Sequence, residues 1–347
     1  MSNYKQNILE LDRKELISWL ETRDIESYRA DQILKWIYLR QTDRFDRMTD
    51  IAKDIRPLLA DHFTIGRLQT ETVEISKDGS RKYLYKLQDG KRIESVLIPE
   101  RDHYTLCISS QVGCAQGCRF CLTARGGFQR NLSKAEIVSQ VRDIKHELEG
   151  TMPLSNLVFM GMGEPLANYK NLVRALGVIT DSRFGLGFAG RRVTVSTAGL
   201  ASKLAALGRD TKVNLAISLN ATDNATRSRL MPLNRKFPIE NLLQACQQFP
   251  LPGGRRITFE YVLLKDVNDS VEDALRLAKL LRPIKSKINL IPLNSYEGCQ
   301  YQRPDEGAIL RFQKILIDKN YTVMIRQSKG QDISAACGQL AGNGLRP

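Results

Sequence analysis

Four of the chain's seven cysteines fall within CISSQVGCAQGCRFC, residues 107–121. Cys114, Cys118 and Cys121 are spaced C-x3-C-x2-C, and the three histidines, His62, His103 and His146, are scattered. Three thiolates on one short loop can hold three corners of a cubane iron–sulfur cluster and leave the fourth iron free. A structural zinc site wants four closed ligands, usually two separated pairs or with histidine. Cys107 lies on a predicted strand, seven residues before Cys114, an awkward place for a fourth ligand. Gly113 and Gly117 free the loop to wrap closely around a cluster. Of the other cysteines, Cys246 falls on an apolar helix face and reads as core, Cys299 carries no assignment, and Cys337 sits among small residues in AACGQLAG.

The elements around this loop come in three textures. Residues 1–65 read as a small helical module: Asp12 and Glu15 form a capping box, a second helix runs near 30–39 and a third over 51–62. Residues 66–100 alternate in polarity, with Asp78-Gly79 and Asp89-Gly90 as turn signals, which predicts a β-ribbon linker. From 101 to 327 short apolar strands alternate with helices. The strands are expected at 106–109, 157–160, 193–196, 213–219, 257–264 and 288–293, with a further one at 322–325. Ser133 and Glu136 cap the clearest helix, whose stripe is Ile137, Val141, Ile144 and Leu148. Six β–α units imply a parallel sheet with right-handed crossovers, two units short of a closed eight-stranded barrel. The expected fold is therefore α/β, an open partial (βα)6 barrel with a helical N-terminal module and a C-terminal segment, 328–347.

In such folds chemistry gathers at the C-terminal ends of the strands. The cysteine loop follows the first strand, GMGEP (161–165) the second and Ser196 the third, while Ser218 ends the fourth and Asn294 follows the sixth. The chain carries 52 Lys and Arg against 38 Asp and Glu, a formal net charge of +14 over 347 residues. That balance suits a polyanion such as RNA, and the scatter of basic residues places any such contact on a folded surface. No run of about 18 apolar residues exists to span a bilayer. MSNYKQNILELD lacks the layout of an export signal, so a cytoplasmic location with reduced thiols is expected.

With Phe120 inside it, the cysteine loop resembles the signature of the radical S-adenosylmethionine superfamily, whose fold is the partial barrel derived above. CISSQVGC, FMGMGEPL, RRVTVSTAG, INLIPLN and DISAACGQLAG extend the resemblance, from about residue 90 to 342, to the bacterial family of dual-specificity adenine-C2 methyltransferases of 23S rRNA and tRNA. The N-terminal module resembles that family's RNA-binding accessory domain. The resemblance implies one [4Fe-4S] cluster on Cys114, Cys118 and Cys121, with S-adenosylmethionine chelating the open iron. Carried over residue by residue, the S-adenosylmethionine contacts are Gly163, Glu164, Ser196, Ser218, Leu219, Asn220 and Asn294. Cys337 would be the methyl-accepting cysteine, Glu94 the proton acceptor and Cys107 the resolving thiol that ends in a transient disulfide with Cys337. An electron donor such as flavodoxin or ferredoxin is implied, and a monomer suffices. The family's usual Ser-Leu-His is Ser-Leu-Asn here, and Asn220 cannot carry a proton near neutral pH. Two alternatives stay open: a relative that methylates adenine C8, from which Pro165 and LTARGGF differ, and a zinc-stabilised RNA-binding module without catalysis.

Overall fold

The structure, a computed structural model, describes residues 5–251 and 253–342. The outermost residues of the expected first and last segments, 1–4 and 343–347, and hence the start of MSNYKQNILELD, lie outside the described residues. A single ten-stranded sheet organises the molecule, and its strands follow one another across it almost in chain order. Seven parallel strands make up its main part: Tyr104–Cys107, Leu154–Phe159, Val193–Thr197, Asn214–Ser218, Ile257–Leu263, Ser286–Pro292 and Val323–Ile325. The first six are the strands of the expected units, and Val323–Ile325 adds a seventh beside the last of them. The sheet does not close among the described residues, because Val323–Ile325 and Gln69–Ile75 form its two edges.

The alternating segment is built into that same sheet. Gln69–Ile75, Arg81–Lys86 and Arg92–Pro99 pair antiparallel, and the last of them pairs with Tyr104–Cys107. Gly79 and Gly90, both at positive φ, turn the two hairpins. What reads along the chain as a linker is thus an extension of the barrel wall. Ser133 caps the helix Lys134–Glu147 through the expected box, and Ile137, Val141, Ile144 and Leu148 are all buried.

The N-terminal helices are Arg13–Glu21, Tyr28–Tyr38 and Ile55–His62. The third starts later than its periodicity suggests, because Arg56 donates to the carbonyls of Thr49 and Ile51 and holds that stretch as turns. Buried cations fasten this module to the barrel's helices. Lys134, fully buried, reaches Leu11 O at 2.8 Å and Asp12 at 3.1 Å. Arg142, also fully buried, donates to Asp43 at 2.6 Å and to the carbonyls of Ile37 and Thr42. Charges are buried at such cost only when paired and hydrogen-bonded, as these are.

Candidate active site

The cysteine loop takes its shape from local contacts. Gly113 sits at φ 73°, and a Cβ there would come within 1.8 Å of Gly127 O. Gly117 also has positive φ, so both glycines are required by the backbone itself. Cys114 N donates to Gly127 O, and Cys121 N donates to Cys118 O at 3.1 Å. The three thiols and Phe120 line one cavity. Burial, reinforced by the neighbouring thiols, pushes Cys114 up to about 12 and Cys118 well above its ordinary value. Such crowded soft donors suit a multi-iron cluster, which neutralises their thiolates and bonds each to a different iron. Among the described residues no three His, Cys, Asp or Glu converge closely enough for a single metal ion. The donor set fits a cubane better than a lone zinc.

Opposite the loop, the parallel strand ends complete the cavity with Gly163, Glu164, Ser196, Ser218, Asn220, Glu260 and Asn294. Gly163, at φ 96°, is needed because a Cβ would meet the Gln111 side chain at 2.4 Å. Gly161 likewise packs on the Ile108 carbonyl. The glycines of GMGEP therefore let this loop close on segment 108–111. Glu164 is buried and accepts from Ala198 N at 2.6 Å and Leu166 N at 3.0 Å. Burial nonetheless pushes its carboxyl up to about 7.

Leu219 departs from the expected contact set. Its side chain is fully buried in the core and does not line the cavity, because successive residues at a strand end face opposite ways. Asn220 adopts left-handed backbone at φ 59°, a conformation in which Asn and His are both enriched. Its Oδ1 accepts from Val262 N at 2.8 Å, so the amide serves as a clamp between neighbouring strands.

Cys337 arrives on a strap, residues 330–342, that crosses the mouth of the barrel. Asn294 Nδ2 donates to Cys337 O at 3.2 Å, Leu122 N to Gly338 O at 2.7 Å and Gln339 Nε2 to Ser295 O at 2.8 Å. Thr123 Oγ1 donates to Leu340 O at 2.6 Å, and Asp78 accepts from Gly330 N at 2.7 Å. Glu94 is buried on the inner face of its strand. Its Oε2 accepts from Ala341 N at 2.8 Å and Gly342 N at 3.3 Å.

A second cavity lies on the other side of this strap, lined by Cys107, Val96, Ile98, Met324 and Arg326. Cys121, Gly161 and Cys337 belong to the walls of both cavities. Burial pushes Cys107 up to about 12. Cys337 is an exposed residue whose thiol is nonetheless raised by the desolvating cavity walls around it, and Arg326 opposes the shift at both thiols. Cys246, as expected, is core. Cys299 packs in a small apolar cluster with Cys118 and Phe120.

Several residues of the site carry no motif. Glu260, buried in the first cavity, accepts from Asn289 Nδ2 at 2.9 Å, and a lone acid within the apolar run ITFEYVL is its only sequence signal. Arg227, fully buried, donates to the carbonyls of Ala198 and Leu219 and braces two strand ends. Lys82, whose ammonium donates to Ile333 O of the strap, and Thr123 have no local signal at all.

The fold and the thiol-lined strand-end cavity define a radical S-adenosylmethionine enzyme, a class that uses a [4Fe-4S] cluster with S-adenosylmethionine, and residues 108–278 match the radical SAM superfamily. Residues 6–65 match the ribosomal RNA large subunit methyltransferase N-terminal domain. The dual-specificity RNA methyltransferase RlmN of Desulfosudis oleivorans is 57% identical over 97% of this chain and 91% of its own length. That of Geobacter sulfurreducens is 54% identical over 96% and 92%. A crystal structure of a radical SAM methyltransferase from Sphaerobacter thermophilus superposes with a TM-score of 0.91 at 40% identity, covering 97% of this chain and all of that one. The chain belongs to the RlmN family of radical SAM methyltransferases. No helix among the described residues is long and apolar enough to cross a membrane.

Proposed function

We propose that this enzyme installs a methyl group on adenine C2 in 23S rRNA and tRNA, with Cys337 as the carrier. The observation that carries this reading is the position of Cys337 in the wall shared by two cavities. One holds the three cluster cysteines and the polar strand ends, and the other holds Cys107. A carrier thiol needs access to a methyl donor on one side and to an acceptor base on the other.

Cys114, Cys118 and Cys121 would hold the cluster, and Gly163, Glu164, Ser196, Ser218, Asn220 and Asn294 would surround the bound S-adenosylmethionine. When bound, this pair supplies an electrophilic methyl group and, after one-electron reduction, a radical able to remove hydrogen from a methylated thiol. Adenine C2 lies between two ring nitrogens and is too electron-poor to attack an electrophilic methyl itself, so carbon must reach it from a protein-borne methylene. Cys337, held by Asn294 and followed by Gly338, which Leu122 holds, presents that carbon. Its addition to C2 joins RNA to protein through the Cys337 sulfur. After the adduct gives up its unpaired electron, for which the oxidised cluster would be the acceptor, Glu94 takes the C2 proton. The Cys107 thiolate then attacks the Cys337 sulfur, and the bond from that sulfur to the carbon breaks. The released carbon takes up a proton to become the methyl group, and a Cys107–Cys337 disulfide remains. Arg326, which favours the thiolate of both cysteines, supports that exchange.

The disulfide and the cluster both require electrons, which a flavodoxin or ferredoxin would deliver. The enzyme would act as a monomer in the cytoplasm, where its RNA substrates are found. Mass spectrometry of rRNA and tRNA nucleosides after anaerobic reaction with S-adenosylmethionine and a reductant tests the reading. 2-Methyladenosine in both RNAs is expected, and methylation at C8 alone would overturn the assignment.

A further inference from the structure

Beside Glu94 lies a charge with no part in the chemistry so far. Lys82 is buried within the antiparallel strand Arg81–Lys86, on the face it shares with Glu94, two residues along that face from Leu84, Glu94's cross-strand partner. Its ammonium donates to Ile333 O, in the strap, at 2.6 Å and lies 3.7 Å from Glu94 Oε1 and 3.5 Å from Glu74. The other Glu94 oxygen is taken by the strap amides of Ala341 and Gly342. The carboxylate is thus held between one cation and two N–H groups, and the cation grips the same strap further upstream, at Ile333. Burying an ammonium costs more than burying an apolar residue of similar size. A hairpin needing only stability would be served as well by methionine there.

We propose that Lys82 is a positioning residue for release of the RNA. By joining the Glu94 carboxylate to the Ile333 carbonyl it makes the base and the Cys337 strap one unit. The acceptor oxygen then keeps its place relative to the base attached to Cys337 while the C2 proton is removed. This rests on the reading of Glu94 as proton acceptor.

The test is a single anaerobic turnover with RNA, with the covalent RNA–protein adduct followed on denaturing gels beside iron content and 5′-deoxyadenosine formation. In Lys82→Met the adduct should persist, resolving about tenfold more slowly or worse, as expected when a charge-assisted contact made at the reacting centre is lost. Iron content should be unchanged and 5′-deoxyadenosine formation should stay within about twofold, because Lys82 touches neither cavity's cysteines. Lys82→Arg, which keeps a cation at the site, should restore resolution, a rescue that lost packing alone would not give. Should Lys82→Met and Lys82→Gln resolve the adduct at the native rate while Glu94→Gln traps it, the positioning role is wrong and the base assignment stands. Native-rate resolution in Glu94→Gln removes the base assignment itself. If neither neutral variant folds, Lys82 is a structural requirement and the positioning role is likewise rejected.

Discussion

The cluster loop and the C-terminal strap both carry cysteines into the barrel mouth, yet they are built in opposite ways. The loop owes its shape mainly to itself: Gly113 and Gly117 take positive φ, Cys114 N donates to Gly127 O and Cys121 N to Cys118 O, while Arg119 N reaches out to Leu230 O. The strap has almost no structure of its own beyond one short helical turn, Gln331–Ile333. It is held by Asp78, Lys82, Glu94, Thr123 and Asn294, from four separate stretches of chain. Such a difference suits the roles proposed for them. A cluster needs fixed donors, whereas a carrier thiol must face one cavity and then the other, so its anchorage is shared among many modest bonds.

The largest effect is expected on the loop side. Cys118→Ala should lose both iron and all RNA methylation, read by metal analysis and nucleoside mass spectrometry. Retained iron with retained methylation would end the cluster assignment. Next, Cys107→Ala should leave iron content and Cys337 methylation intact but halt turnover with RNA bound covalently, visible as a shifted band on a denaturing gel. A variant that turns over without accumulating adduct would mean that the second cavity's thiol is not the resolving group.

Smaller effects should separate the strap from the loop. Thr123→Val removes one neutral bond to Leu340 O, worth about 1 kcal/mol, and should slow turnover about fivefold with iron unchanged. Iron loss in that variant would show that the strap is also needed to hold the cluster loop. The smallest effect is a pH dependence of the apoprotein. Burial raises the Glu164 carboxyl from 4.5 to about 7, so the folded chain keeps a proton that the unfolded chain has released. The associated stability is complete below the unfolded value and is lost as pH rises through the folded one. The urea midpoint of the apoprotein should therefore fall between about pH 5 and about pH 8, and Glu164→Gln should flatten that slope.

The same contrast governs how legible each region was along the chain. Cys114, Cys118 and Cys121 announce themselves through spacing, because the cluster they suit is small enough for one loop to reach. Ser196, Ser218 and Asn294 were readable as strand ends, since βα periodicity marks where each strand stops. Leu219 was carried along with its neighbours although the pleat turns it into the core. Glu94 is picked out only by the family resemblance, because nothing local on its alternating strand signals burial. It is buried because a strap 247 residues later in the chain lies across that face. Lys82 and Thr123 were missed for the same reason.

Local spacing and hydrophobic period were thus enough to establish the parallel sheet, its strand-end chemistry and the thiol loop, because each depends on residues close together along the chain. Which side of Cys337 faces which cavity, what Glu94 and Lys82 hold, and how the N-terminal helices lock onto Lys134 and Arg142 emerged only on folding. Those arrangements join residues tens to hundreds of positions apart, and no pattern within a single element encodes which distant segment will cover it.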